Sequence, residues 1–234
     1  MPAEKTKTTT KKEPVAHTRK AYLGIRNMMF HNELTPGQKI SYRELAERLG
    51  MSQTPIIQAL KWLEFQQLVR HEPNRGYYTA PISLQEVEEA YEIRELIEMA
   101  LLPKVIKTID EAGIKQLRSA LEAHLEASRE IYLADRLKKD MEFHLTLASL
   151  SGSIVHRKIL ANLFDLLYLK YSGNILFSTS MESADADHKA LFDCIAARDL
   201  KGARSTLSRH IRRVKEHVLT GLEKITAAKG RAGI

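Results

Sequence analysis

The sequence predicts a mainly α fold in two parts, a small helix-turn-helix module with a hairpin behind it and then an all-helical antiparallel bundle. Three observations carry this. Residues 41–68, SYRELAERLGMSQTPIIQALKWLEFQQL, hold two short runs with apolar residues at helical spacing, broken at Gly50. Two β-prone runs flanking a Pro-Asn-Arg-Gly turn follow at once. From residue 84 onward no strand alternation rises above the helical period.

Taken in order, residues 1–15, MPAEKTKTTTKKEPV, have almost nothing to bury and predict a disordered tail. A first helix is expected from about His17 to His31, packing through Tyr22, Leu23, Ile25, Arg26 and Met29. Leu34 to Ile40 reads as a turn around Thr35-Pro36-Gly37. Leu45, Ala46 and Leu49 give the next helix its apolar face, Gly50 ends it, Ser52 or Thr54 can cap the following one, and Ile56, Ala59, Leu60 and Leu63 continue the period. Two helices joined at a glycine also occur in ordinary bundles. The runs Leu68-Val69-Arg70-His71 and Tyr77-Tyr78-Thr79-Ala80 separate the two cases, because a hairpin behind a helix-turn-helix is a wing. Such a module lays its second helix, here Ser52 to Gln58, against base edges in the major groove. The wing tip offers Arg75 and Gly76 to phosphate or minor groove.

Pro81-Ile82-Ser83 marks a hinge at 81–84 between a DNA-binding domain at 16–80 and a helical domain at 85–228, with a short tail at 229–234. Ser83 and Glu86 have the spacing of a capping box. Helices are expected at about 84–108, with room for a kink at Pro103, then 111–128, 132–150, 154–178, 185–198 and 200–226. Their breaks fall at Asp110, Ser128-Arg129, Ser151-Gly152, Ser180–Ala184 and Asp199.

Composition bounds the function. With 44% hydrophobic and 28% charged residues the chain is ordinary for a globular protein, and no apolar run nears the roughly 18 residues of a membrane span. No signal segment opens it, so a cytoplasmic protein with no membrane partner is expected. The single Cys194 excludes an intrachain disulfide and, at helical spacing from Leu191 and Ile195, reads as a small core residue. The net charge of +7 divides into +6 over residues 1–80, −3 over 81–180 and +4 over 181–234. The basic end coincides with the wing module, the footprint of a phosphate-binding surface.

Within the bundle two polar pairs share a pattern. Asp140 and His144 lie one turn apart on one helix face. His188 and His210 each stand eleven residues from the break at Asp199, so an antiparallel hairpin brings them level. Facing one another across an interior, the pairs would make an Asp-His-His-His site for a divalent ion, zinc foremost, with nickel, manganese and iron as neighbours in affinity. Taken separately, such residues usually decorate solvent faces. His124, His156 and His217 read as surface residues, and Trp62, Tyr168 and Tyr171 as core packing before pocket lining.

Residues 21–80 resemble the winged-helix domain of the GntR family of bacterial transcription regulators. The resemblance rests on Leu34-Thr35-Pro36-Gly37, Leu45-Ala46 to Leu49-Gly50, Ser52-Gln53-Thr54-Pro55, Ala59-Leu60 with Leu63, and Pro73-Asn74-Arg75-Gly76. A winged helix followed by this bundle is similar to the FadR-type subfamily, whose C-terminal half is the FCD ligand-binding domain. That resemblance implies a homodimer on a palindromic operator, with DNA contacts from Arg43, Ser52, Gln53, Thr54, Gln58, Arg75 and Gly76. It implies metal ligation by Asp140, His144, His188 and His210, and a small organic acid effector seated by Arg94, which would otherwise be an exposed partner of Glu98. The chain departs from the family where Gln53 replaces a common arginine and Ile57-Gln58 replaces Arg-Glu, which predicts altered half-site bases. Two other readings of the metal site remain, a metal that is itself the signal or a structural one. A metal-dependent hydrolase finds no general base beyond the ligands and leaves the wing unexplained.

Overall fold

The computed structural model describes residues 12–128, 133–175 and 181–232. They fall into two compact units, Met1–Pro81 and Ile82–Ile234, each with its own buried apolar residues.

The first unit holds α1 (Lys12–Phe30), β1 (Lys39–Ile40), α2 (Tyr42–Leu49), α3 (Gln53–Phe65), β2 (Val69–Glu72) and β3 (Gly76–Thr79). The expected tail is shorter than the sequence suggested, because α1 begins at Lys12; residues 1–11 lie outside the described residues. α1 packs on α3 through Thr18, Ala21, Ile25, Met28 and Met29. Leu23, expected on that face, is exposed, since a stripe running 18, 21, 25, 28 leaves position 23 on the far side. Ser41 caps α2 by accepting from the Glu44 N–H at 3.2 Å. Gly50 closes α2 at φ 61°, and its N–H donates to the carbonyls of Ala46 and Glu47. Ser52 stands at the N-cap of α3 by backbone conformation, but its hydroxyl makes no capping bond, and Thr54 lies inside the helix. Neither is therefore the side-chain cap that the sequence suggested.

The sheet has the order β1-β3-β2, all antiparallel. β2 and β3 pair Val69 with Thr79 through to Glu72 with Gly76, and Asn74 (φ 64°) and Gly76 (φ 98°) turn the chain between them. Lys39 and Ile40, expected in a turn, are a third strand paired with Tyr78 and Tyr77. Two residues are too few to show alternation. The Gln38 N–H donates to the Thr79 hydroxyl at 2.8 Å, which in turn donates to the Thr35 carbonyl, so this strand is held by side-chain bonds no pattern reveals.

The second unit is helical among its described residues: α4 (Leu84–Thr108), α5 (Glu111–Ala127), α6 (Leu133–Leu150), α7 (Ile154–Ile175), α8 (Met181–Ala196) and α9 (Leu200–Ala232). α8 begins at Met181, ahead of the expected 185, and α9 continues through most of the expected tail to Ala232; the expected break at 176–180 and the end of α7 beyond Ile175 lie outside the described residues. α4 continues through Pro103. Ser83 accepts from the Glu86 N–H at 3.2 Å, but the reciprocal half of the capping box is missing, because the Glu86 carboxylate is taken by Tyr171 and Lys170. Asp110 and Asp199 cap α5 and α9 through the Gly113 and Gly202 N–H groups at 2.8 and 2.9 Å. Val87, Tyr91 and Val105 of α4, Leu117 and Leu121 of α5, Phe143 and Leu147 of α6, Leu167 of α7, Ile195 of α8 and Leu207 and Ile211 of α9 form one core. No described helix is long and apolar enough to cross a membrane.

A side chain at Gly50 would be strained by the backbone alone, since a Cβ added there would meet no atom within 4 Å. Gly50→Ala is expected to lower stability by about 1 kcal/mol through the left-handed conformation. Urea unfolding measures this as a lower midpoint at unchanged slope.

Candidate functional site

α6, α8 and α9 turn Asp140, His144, His188 and His210 into the bundle interior. One ligand atom from each lies within 4.8 Å of all the others. The His144 and His210 rings stack at 5.4 Å, and those of His188 and His210 meet edge-on at 4.5 Å.

Hydrogen bonds fix which nitrogens face the centre. His144 Nδ1 lies 2.6 Å from Glu98 Oε2, and burial, which would raise the Glu98 carboxyl, is overcome by His144 and Arg94, which hold it down to about 2. An ionised carboxylate only accepts, so His144 carries its proton on Nδ1 and leaves Nε2 bare. His188 Nδ1 lies 2.8 Å from the Ala184 carbonyl, another pure acceptor, so in the neutral ring, the form that ligates a metal, the lone pair is on Nε2. These two nitrogens stand 3.2 Å apart, with Asp140 Oδ1 3.1 Å from His188 Nε2 and 3.9 Å from His144 Nε2. Burial opposes ionisation of Asp140, but His188 and His144 keep its carboxyl well below the usual range. Both ring nitrogens of buried His210 lack a hydrogen bond. With the imidazoles neutral, their lone pairs and a carboxylate oxygen converge on one point, an arrangement that a shared cation would satisfy. This donor set fits a borderline divalent ion. Burial, reinforced by neighbouring His188, lowers the imidazole of His210 to about 3 and that of His124 to about 4, so both are neutral near pH 7. Neutral imidazole is the form that ligates metal.

Arg94 is fully buried, not the exposed partner of Glu98 allowed for above, although the pairing itself exists: Arg94 Nε donates to Glu98 Oε1 at 2.8 Å. Burial opposes its charge, and Glu98, Tyr168 and Asp140 together raise its pKa above the ordinary value. The guanidinium lies 4.8 Å over the Phe164 ring, and its two terminal nitrogens have no hydrogen-bond partner. A cavity of about 60 Å³ is lined by Asp140, His210, His124, Arg136, Tyr91 and Tyr168 among others. Tyr168 donates to Asp140 Oδ2 at 2.5 Å; burial and the Asp140 charge raise its pKa strongly, so it remains a donor.

Three participants escaped the sequence reading. His124, expected at the surface, is 1% exposed, with its ring 4.1 Å from that of His188. The spacing Leu117, Leu121, His124 places it on the buried stripe of α5, a signal present in the sequence. Tyr168 lines the cavity and bonds Asp140, whereas Tyr171 is core, bonded to Ser83 and Glu86. Glu98 belongs to the buried series Tyr91, Arg94, Glu98, Leu102 of α4, which burial rather than spacing identifies as interior. His217 is half-buried and lines the same cavity, and His156 is half-buried.

In the first unit Arg43, Ser52, Gln53, Thr54, Gln58 and Arg75 are exposed, and Gly76 and Ile57 half-buried. Thr18 Oγ1 donates to Gln58 Oε1 at 2.6 Å, which commits the amide carbonyl to α1 and leaves the NH₂ as the group Gln58 can offer elsewhere. Arg75 Nη1 lies 3.4 Å from Glu72. Trp62, expected as core packing, is 44% exposed and meets Tyr22 edge-on at 5.9 Å.

Residues 17–78 match the family described as bacterial regulatory proteins, gntR family, and residues 89–213 match the FCD domain. The chain belongs to the GntR family. The two domains together make it a DNA-binding transcription regulator rather than an enzyme. It is similar to the uncharacterized HTH-type transcriptional regulator YdhC of Bacillus subtilis, 24% identical over 91% of this chain and 95% of that protein. It is also similar to the HTH-type transcriptional repressor RspR of Escherichia coli, 24% identical over 84% and 86% of the two chains. In fold it resembles E. coli McbR/YncC, with a TM-score of 0.76 at 18% identity over 87% and 97% of the two chains. A GntR regulator from Rhodococcus gives 0.75 at 21% identity over 88% and 98%.

The lowered imidazoles set a pH dependence. Between an unfolded value near 6.5 and folded values of about 3 and 4, the unfolded chain binds protons that folded His210 and His124 refuse. Acid therefore favours unfolding. The thermal midpoint of metal-free protein is expected to fall as pH drops from 7 to 4, and less steeply in His124→Gln, as calorimetry would record.

Proposed function

We propose that this GntR regulator binds a palindromic operator as a homodimer and that a small carboxylate, held at a divalent metal in the helical domain, controls that binding. The convergence of Asp140, His144, His188 and His210 beside a cavity carries the reading. Glu98 and Asp140 bring two negative charges and Arg94 one positive, so with the imidazoles in their neutral, ligating form a divalent ion gives the centre a net charge of +1. A monocarboxylate neutralises that charge. The two unpartnered Arg94 nitrogens supply a donor fork of the kind carboxylates accept. When bound, the ion would act as a Lewis acid that fixes the carboxylate, while Tyr168 holds Asp140 in register.

On DNA, α3 enters the major groove with Ser52, Gln53 and Thr54 leading, while Arg43 and the Arg75-Gly76 wing meet the backbone. Gln58 presents an NH₂ donor, so it suits an acceptor such as adenine N7 or thymine O4, and Ile57 suits a thymine methyl. The effector signal reaches this module through the linker around Pro81. The ligand shifts the equilibrium only by as much as it prefers one arrangement of the pair of units.

Selection of genomic fragments by the purified protein tests the DNA half. A short palindrome is expected that an Arg43→Ala, Arg75→Ala variant enriches at least tenfold less, and that lacks the guanines typical of family operators; diffuse binding shared by both proteins overturns it. The metal half is tested by titration. About one zinc per chain is expected, with Asp140→Ala reducing affinity by a hundredfold or more. If stripping the metal unfolds the bundle the ion is structural, and if metal alone changes operator affinity it is the signal.

A further inference from the structure

The carboxylate of Glu98 stands between two donors, with Oε1 2.8 Å from Arg94 Nε and Oε2 2.6 Å from His144 Nδ1. All three side chains are wholly buried, so no solvent competes for either oxygen. Of the four ligand residues, His144 is the one to which Glu98 is hydrogen-bonded among the described residues. We infer that Glu98 is the positioning residue of the centre, which sets the tautomer of His144 and thereby keeps its Nε2 lone pair directed at the metal. The inference rests on the metal reading above and concerns a residue outside the ligand set.

Hydrogen-bond capacity makes the argument. A carboxylate offers two acceptor oxygens and satisfies both donors at once. A carboxamide offers one acceptor and one donor group. Arg94 is a permanent cation with only donors, so in Glu98→Gln the amide oxygen goes to Arg94 Nε and the amide NH₂ faces His144 Nδ1. That nitrogen must then accept. The imidazole proton moves to Nε2, where it points at His188 Nε2, 3.2 Å away, and at the metal position. A substitution of nearly unchanged shape therefore blocks one ligand by relocating one proton. Removing the competing donor reverses the logic: in Arg94→Met, Glu98→Gln the amide oxygen is free to accept from Nδ1 and the original tautomer returns.

Three full-length proteins, wild type, Glu98→Gln and the Arg94→Met, Glu98→Gln double variant, are compared in two measurements. Zinc affinity is measured by competition with a chromophoric chelator, and the His144 tautomer by ¹⁵N imidazole shifts in metal-free protein. Thermal unfolding confirms that each is folded. Glu98→Gln is expected to bind zinc about 10–100-fold more weakly, with His144 protonated on Nε2. The double variant is expected to recover most of that loss with the proton back on Nδ1. A wild-type tautomer in Glu98→Gln overturns the inference, and so does a double variant that binds zinc no better than the single one. The two readings fail separately. A wild-type protein that takes up no zinc refutes the metal centre, while the tautomer measurement, made without metal, still decides the role of Glu98.

Discussion

Charge buried without water must be satisfied by other buried groups, and the second unit meets this demand along one chain of contacts, Arg94 to Glu98 to His144 to His188 and Asp140. A lone buried carboxylate or guanidinium would cost several kcal/mol. Here each ionised group has an opposite charge or a donor, and the terminal nitrogens of Arg94 and both ring nitrogens of His210, which have no hydrogen-bond partner, belong to the same cluster of side chains around the gap between His144 and His188. The helices are arranged around that gap. α4 supplies the charges behind it, α6 the carboxylate and first imidazole, and α8 and α9 the rest. The apolar core that includes Phe143, Leu147, Leu167 and Ile211 packs around it.

This explains which parts of the protein were legible in the sequence. The helical period, Gly50 and the wing turn are local signals, and the helix-turn-helix and wing stand where those signals put them. β1 is not local. It exists because Tyr77 and Tyr78 offer a free edge, and Lys39-Ile40 alone carry no pattern. The level of His188 with His210 follows from counting along an antiparallel hairpin, so the approach of those rings could be anticipated. Glu98 could not be assigned the same way, because an Arg-x-x-x-Glu pair reads alike on a wet surface and in a core. Only the burial of its neighbours Leu101 and Leu102 distinguishes the two, and burial is a tertiary fact. His124 is the reverse case, where the stripe on α5 was readable and the general preference of histidine for surfaces prevailed over it.

The helix that touches the centre also holds the start of the unit. Tyr168 bonds Asp140, and one turn further along α7 Tyr171 bonds the backbone of Ser83 and the carboxylate of Glu86 at the N-terminus of α4. α4 in turn carries Arg94 and Glu98 into the site. A closed mechanical loop results, from Asp140 through α7 to Ser83 and back along α4 to His144. Tyr168 and Tyr171 stand one turn apart on the same helix, so the bond to Asp140 and the bonds to Ser83 and Glu86 are carried by one continuous element. Lys170 strengthens the same end by pairing with Glu86. The first turn of α4, just after the unit boundary at Pro81, is thus fixed by Tyr171 and Lys170, neighbours on α7 of the Tyr168 that bonds Asp140. A change in charge at the centre alters the forces on Asp140 and Glu98 first, and both are tied to that turn by hydrogen bonds or by a continuous helix rather than by apolar contacts that can slide.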